Sequence, residues 1–186
     1  MKTKRGILKV GLVFFAAFFA VVLFVGVRSP SFQVRHVLNA FYHEMYLGYV
    51  QTEERNLSKY IRDEHLSCKN LLARYHNLVL DRQIVKEYDL AWLNTEIEPY
   101  RIEIESISAQ GDRASVRFAF AGTNDMAVYP PFLLPHYQYE AVLRNDPGDG
   151  WVIVELTNEF LQSQNADSSQ VAIRSREDLL QTLKPQ

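Results

Sequence analysis

The chain has 186 residues, a length that suits one ordinary domain and a small additional segment. Hydrophobic residues make up 47% of it and charged residues 23%, which excludes a disordered chain and a charge-rich coiled coil. The formal net charge of −2 argues against a nucleic-acid-binding protein that relies on bulk basic charge, and the single Cys excludes an intramolecular disulfide and a metal site made of Cys alone.

Residues 1–28 are predicted to form a basic cytoplasmic tip and a membrane anchor. Cations near the N-terminus precede an uncharged apolar run from Val10 to Val27. A helix needs roughly 20 apolar residues, and about 17 at least, to span a bilayer. A cleaved signal peptide is the alternative, but its apolar region is usually about 7–15 residues long. We expect an uncleaved single-pass signal anchor in the cell membrane, with the N-terminus in the cytoplasm and the following domain extracytoplasmic.

Three helices are predicted after the anchor. Ser29-Pro30-Ser31 offers an N-cap, and apolar residues at i, i+3, i+4 and i+7 then mark one buried stripe of a helix that ends near Gly48. A shorter helix is predicted from Thr52, and a weakly defined one from near Ser67. The apolar residues of the three helices are Val34, Val37, Leu38, Phe41 and Met45; Leu57, Tyr60 and Ile61; and Leu71, Leu72, Tyr75, Leu78 and Val79.

Four strands are predicted next, because the apolar pattern changes to a period of two. The strands begin near Tyr100, Ser115, Tyr137 and Trp151, and short turns rich in Gly, Asp and Pro separate the first pair and the last pair. Such turns require antiparallel neighbours. The order predicts an α+β fold over 29–160, in which a curved sheet of about four strands packs on the long first helix.

Residues 161–186 are predicted to form a polar linker and a short C-terminal helix. The composition becomes strongly polar after Phe160. Ser175-Arg176-Glu177-Asp178 then resembles a capping box ahead of three Leu residues.

The order of elements and several segments resemble the NTF2-like superfamily. More narrowly, the chain resembles the non-catalytic, membrane-proximal domain that precedes a cysteine amidase domain in exported proteins of Gram-positive spore formers. The resemblance implies a cone of about three helices on a curved antiparallel sheet, in the bacterial cell envelope. No segment of this sequence corresponds to the amidase domain, so amidase activity is not implied. The similar segments are Phe41-Tyr42, Glu87-Tyr88-Asp89-Leu90, Ile107 to Val116 and His136 to Glu159.

The mouth of the cone is the candidate ligand site, because enzymes of this superfamily place acid–base residues there. His136, Tyr139 and Glu140 begin the third predicted strand. A His and a Glu near the mouth can act as general acid and base. The same residues are equally compatible with an ordinary strand.

Cys68, with His65 and His76 nearby in the sequence, has the residue types of a nucleophile and its base, or of part of a metal site. No oxyanion hole or further ligand cluster is evident in the sequence. We therefore expect a structural Cys, no catalytic residue, no metal and no cofactor.

The segment from Met126 to Pro135 is apolar and contains three prolines, so it cannot form an interior strand. It is interpreted either as a lid over the cone or as an exposed patch for a partner. The partner-binding candidates are Tyr129, Phe132, Leu133 and Leu134.

The sequence thus favours a non-enzymatic accessory domain that binds another envelope protein or self-associates, with the membrane as a second partner through residues 10–27 and without nucleic acid. The alternative is a small-ligand-binding or hydrolytic cone. A cone filled by its own side chains favours the first function, and an open cone lined by acid–base residues favours the second.

Overall fold

A computed structural model of the protein describes residues 29–87, 100–122, 137–158 and 171–178. Two long helices, α1 (Pro30–Gln51) and α2 (Leu66–Glu87), precede a four-stranded sheet, and a helical turn occupies 176–178. The strands are β1 (Tyr100–Gln110), β2 (Arg113–Gly122), β3 (Gln138–Asp146) and β4 (Gly150–Asn158). These elements confirm the α+β prediction.

No helix within the described ranges is long and apolar enough to cross a membrane. The predicted anchor from Val10 to Val27 lies outside those ranges, as does the Pro-rich segment from Met126 to Pro135.

Helix α1 begins where its sequence predicts. The Ser29 hydroxyl accepts the N–H of Phe32 at 3.3 Å, and Pro30 occupies the first turn, where its missing N–H has no intrahelical role. The helix runs three residues beyond the predicted end at Gly48 and closes at Thr52, whose φ of 61° is left-handed. Its buried stripe faces the sheet and consists of Val34, Leu38, Phe41, Tyr42, Met45 and Tyr49.

The strands form an antiparallel meander in the order β1-β2-β3-β4, as the short turns predicted. Alternation places every second side chain of β2 and β3 on the face that packs against α1. That face and the α1 stripe make one hydrophobic core. The sheet's buried contribution is Ala114, Val116, Phe118, Phe120, Tyr139, Ala141, Leu143, Trp151, Ile153 and Leu156.

The short helix predicted from Thr52 is not formed, and this prediction is wrong. The chain between α1 and α2 makes a turn at 58–60, where the Asn56 side chain accepts the N–H of Ser58 at 3.0 Å. It then pairs with the edge of β4. The Ile153 N–H donates to the Tyr60 carbonyl at 2.7 Å, and the Arg62 N–H donates to the Ile153 carbonyl at 2.8 Å. Backbone groups of this segment that bond the edge of β4 are not available for the hydrogen bonds of a helix, so the pairing with β4 replaces the predicted helix.

Candidate functional site

Aromatic rings fill the space between α1 and the inner face of the sheet. The Tyr42 ring meets the rings of Phe41, Phe118 and Phe120 edge to face, with centroids 4.9, 5.8 and 4.8 Å apart. The Tyr139 ring stacks on Phe118 at 5.3 Å. Edge-to-face and offset rings at these separations are attractive beyond their buried area. This aromatic cluster occupies the place where a ligand of the predicted cone would bind.

The hydroxyl of Tyr42 lies within the aromatic cluster, fully buried and without a hydrogen-bond partner among the described residues. Burial raises the pKa of Tyr42 well above its ordinary value, so the group stays protonated and cannot act as a base. The buried polar residues in the described ranges are Asn70, Asn77 and Asn158, none of which is an acid or a base.

The structure separates the residues predicted at the cone mouth. Tyr139 is buried in the aromatic cluster, whereas Glu140, the next residue on β3, is exposed on the opposite face of the sheet. The Glu140 carboxylate pairs there with Arg117 Nε at 3.4 Å. His136 lies outside the described residues. Tyr139 and Glu140 therefore do not share a site.

Cys68 is buried against the core, and its thiol is protonated at neutral pH. Burial raises the pKa of Cys68 to about 11, with the nearby Glu155 charge acting in the same direction. The imidazole of His65 bonds the Ser67 hydroxyl at 2.8 Å, and that of His76 pairs with Glu54 at 3.0 Å. Both candidate bases are thus engaged elsewhere. No group of three or more potential metal ligands occurs within the described part of the chain.

Helix α2 buries two faces, and the second was not predicted. Cys68, Leu71, Tyr75 and Val79 enter the hydrophobic core. A further set at i, i+3, i+7 and i+14 is also buried but lies on another side of the helix. This second set is Asn70, Ala73, Asn77 and Ile84.

The second face of α2 holds residues 171–178, here called the tail segment. Asn70 Oδ1 accepts the N–H of Val171 at 2.9 Å. Asn77 makes two bonds: its Nδ2 donates to the Ala172 carbonyl at 2.9 Å, and its Oδ1 accepts the N–H of Arg174 at 2.9 Å. Both Asn side chains are more than nine-tenths buried, at 6% and 7% exposure. We call the face formed by Asn70, Ala73, Asn77 and Asp81 the α2 groove.

Two ion pairs extend the contact beyond the Asn residues. Arg174 Nη2 lies 2.7 Å from Asp81 Oδ2, and Arg176 pairs with Glu87. The tail segment then makes a helical turn at 176–178, and the rest of the predicted C-terminal helix lies outside the described residues. Ser175 and Asp178 form reciprocal hydrogen bonds. The Ser175 N–H donates to the Asp178 carboxylate at 2.9 Å, and the Asp178 N–H donates to the Ser175 hydroxyl at 3.2 Å. The predicted capping box is confirmed.

An open cleft of about 900 Å³ adjoins the α2 groove. The loop after α1, the face of α2 and the tail segment form its walls. Its charged lining is mixed in sign, so it does not select anions or cations by charge alone. The charged lining groups are Glu54, Arg55, Arg62, Asp63 and Lys69.

Sequence reasoning missed the α2 groove. The tail segment binds largely through its backbone, so its own sequence carries no pattern that identifies the contact. A signal was present in α2 itself, since Asn70 and Asn77 are poor helix formers two turns apart on one face.

No protein-family model matches the sequence, and no curated protein is significantly similar to it.

Proposed function

We propose that the protein is a membrane-anchored, extracytoplasmic accessory protein of the bacterial cell envelope that acts by protein–protein interaction or scaffolding, without catalysis. Residues 10–27 would anchor it. The α+β domain would be a cone of the NTF2-like type, closed by its own side chains. The proposal extends the resemblance of the sequence to membrane-proximal domains that lack chemistry of their own.

The observation that carries the proposal is the aromatic cluster. A ligand-binding cone needs a cavity with a few convergent polar groups. Here rings of Tyr42, Phe118, Phe120 and Tyr139 pack at contact distance where such a cavity would lie. Glu140, the carboxylate predicted at the mouth, is exposed on the outer face. These contacts support a function on the surface of the domain.

The Pro-rich segment is the proposed partner surface. Its apolar side chains, Tyr129, Phe132, Leu133 and Leu134, are compatible with an interface that a partner covers. Burying one such side chain stabilises by roughly 1.5–3 kcal/mol, so loss of the contact is measurable.

The double substitution Phe132→Ala and Leu133→Ala tests this surface. We expect the melting temperature of the purified full chain to stay unchanged, while a protein that co-purifies with the wild type from native membranes is lost. A matched control is Phe32→Ala, which removes another exposed aromatic side chain and should retain the partner. A lowered melting temperature with the partner retained would instead identify the segment as a lid over the cone.

A further inference from the structure

Strand β1 forms one edge of the sheet. Among the described elements it pairs with β2 alone, whereas the chain's own backbone at Ile61 covers the opposite edge, β4. A bulge between Ile104 and Ser106 interrupts the register of β1 and divides its edge into two stretches. We call the first stretch, Tyr100–Ile104, the β1 edge. A strand edge with unpaired N–H and C=O groups is a template for a further strand.

The two faces of the β1 edge differ in chemistry. Tyr100, Ile102 and Ile104 are half-buried and pack against the hydrophobic core. Arg101 and Glu103 alternate with them on the outer face, with side chains 76% and 51% exposed. These two side chains bond each other within the strand, and a pair as exposed as this one is weak. Both charges are therefore available to pair with a neighbouring chain.

The next charged residue, Glu105, is not part of the β1 edge. It lies at the bulge, where the register ends. Its carboxylate accepts a hydrogen bond from the Gln138 amide of β3, which lies on the far side of β2. The β1 edge thus presents one cation and one anion.

The sequence of the β1 edge is complementary to itself in one antiparallel register. Placing Ile102 against the same residue of a second copy brings Arg101 opposite Glu103 twice, and Tyr100 opposite Ile104 twice. Opposite charges and aromatic–β-branched pairs directly across two strands are both stabilising. A slip of two residues places Arg101 or Glu103 opposite its own copy, and a slip of one residue mismatches the faces. The pattern therefore selects a single two-fold register.

We propose that the β1 edge joins two copies of this chain into a two-fold dimer with one continuous sheet of eight strands, four from each copy. The contact is isologous, so both copies contribute the same groups. Five paired residues provide about four to six backbone hydrogen bonds between the copies. The inference rests on the proposed interaction function and names a second copy as one partner. It involves neither the Pro-rich segment nor the tail segment.

Charge reversal tests this register in the purified full chain, kept in detergent. The Arg101→Glu chain carries two carboxylates at the β1 edge, and the Glu103→Arg chain carries two guanidinium groups. Each variant therefore repels its own copy, whereas the two variants attract each other.

We expect the sedimenting mass of the wild type to rise from 21.5 kDa to twice that value with concentration. Each single variant should need at least tenfold higher concentration to dimerise. An equimolar mixture of the two, and the double variant alone, should dimerise like the wild type. Arg117→Glu is the matched control, because it reverses an exposed arginine on β2, a strand that is paired on both sides, and should leave dimerisation unchanged.

A cysteine at the two-fold axis tests the same contact in the native membrane. Ile102→Cys would face its own copy at a separation that a disulfide can bridge, so mild oxidation should link two chains. Ser108→Cys is exposed on the same strand beyond the bulge and should remain unlinked. The native Cys68 is buried and should not contribute.

A wild type that stays at the mass of a single chain at every concentration would overturn the proposal, as would an Ile102→Cys chain that links no better than Ser108→Cys. Dimers that persist unchanged in both charge variants would show that the copies meet elsewhere. A mixture of the two variants that fails to dimerise would exclude the two-fold register. The release of a partner by Phe132→Ala and Leu133→Ala is measured independently, so failure here is distinguishable from failure of the proposed function.

Discussion

At the scale of single residues, the Tyr42 hydroxyl bears most directly on whether the core holds a ligand. It is buried among rings and has no partner in the described ranges. A buried hydroxyl without a partner costs about 1–3 kcal/mol in desolvation. If nothing binds there, removing it should not harm the protein.

Tyr42→Phe is therefore expected to leave the free energy of unfolding unchanged or to raise it by up to about 1 kcal/mol. Urea unfolding of the full chain measures the change. Tyr75→Phe is the matched control, because the Tyr75 hydroxyl accepts the Arg55 N–H at 3.3 Å and its loss should destabilise by about 1 kcal/mol. A comparable loss in Tyr42→Phe would reveal a bound partner and favour the ligand-binding alternative.

Gly48 lies where α1 closely approaches its neighbours. A Cβ atom at this position would lie 1.9 Å from the Tyr75 hydroxyl and 2.7 Å from the Glu53 carbonyl oxygen. Replacing Gly by Ala inside a helix ordinarily stabilises by about 1 kcal/mol. Here the contact with Tyr75 and with backbone reverses the sign.

We expect Gly48→Ala to lower the free energy of unfolding by about 1–3 kcal/mol, the usual range for overpacking. The loss should be smaller in a Tyr75→Phe background, where the closer of the two clashing atoms is absent. Chemical denaturation of the wild type, the two single variants and the double variant measures the coupling energy between positions 48 and 75. A stabilising Gly48→Ala would show that the two helices are not packed as closely as described.

At the scale of elements, a charged cluster joins the loop before α2 to the β3–β4 hairpin. Arg144 binds the Glu64 carboxylate through two nitrogens at 3.0 and 3.1 Å and also contacts Asp146 at 2.5 Å. Arg62 bonds Asp149 at 2.7 Å in the same region. The hydrogen bonds from Arg144 lower the pKa of Glu64 and of Asp146 below their ordinary values.

These lowered pKa values predict an acid-sensitive stabilisation. A carboxylate with a lower pKa in the folded state stabilises the fold above its unfolded pKa, near 4, and the effect disappears as the pH falls through the folded pKa. Arg144→Gln should therefore be less stable than the wild type at pH 7, and the difference should shrink as the pH falls below about 4. Urea unfolding at several pH values measures this difference.

Arg117→Gln is the control for this series, because it removes one exposed pair with Glu140 and should change stability little at any pH. An Arg144→Gln difference that stays constant from pH 7 to pH 2 would contradict the proposed role of the two carboxylates.

The local pattern of apolar residues predicts the helices and strands that pack against elements close to them in the sequence. The stripe of α1 and the alternation of β1 to β4 follow from burial on one face, and Gly111 at φ 62° marks the first hairpin turn. Two features depended on contacts between distant residues. The loop at Tyr60 to Arg62 pairs with Ile153, and the tail segment docks on Asn70 and Asn77. Neither contact leaves a periodic signal in its own segment.

The candidate site was less predictable than the fold for the same reason. The prediction of a site at the cone mouth places Tyr139 and Glu140 together at the start of the third strand, but adjacent strand residues face opposite sides of a sheet. The alternation of side chains along a strand is sufficient to predict that Tyr139 and Glu140 lie on opposite faces of the sheet. The burial of Asn77 required knowledge of what covers the outer face of α2, and no local rule supplies that.

At the scale of the whole molecule, we propose that the surfaces of an anchored domain, and not its interior, carry the function. The aromatic cluster fills the interior and the chain's own tail segment occupies the α2 groove, so the Pro-rich segment is the surface that we propose for a partner. The two classes of function therefore predict complexes of very different mass: a protein partner adds many kilodaltons, whereas a small ligand adds a few hundred daltons.

Native mass spectrometry of the full chain, extracted from the membrane fraction of its native cells, distinguishes these two classes of complex. We expect recovery of the intact 21.5 kDa chain from the membrane, carrying at least one further protein or a second copy. A single chain carrying a small-molecule adduct, or recovery of a shortened chain in the soluble fraction, would contradict it.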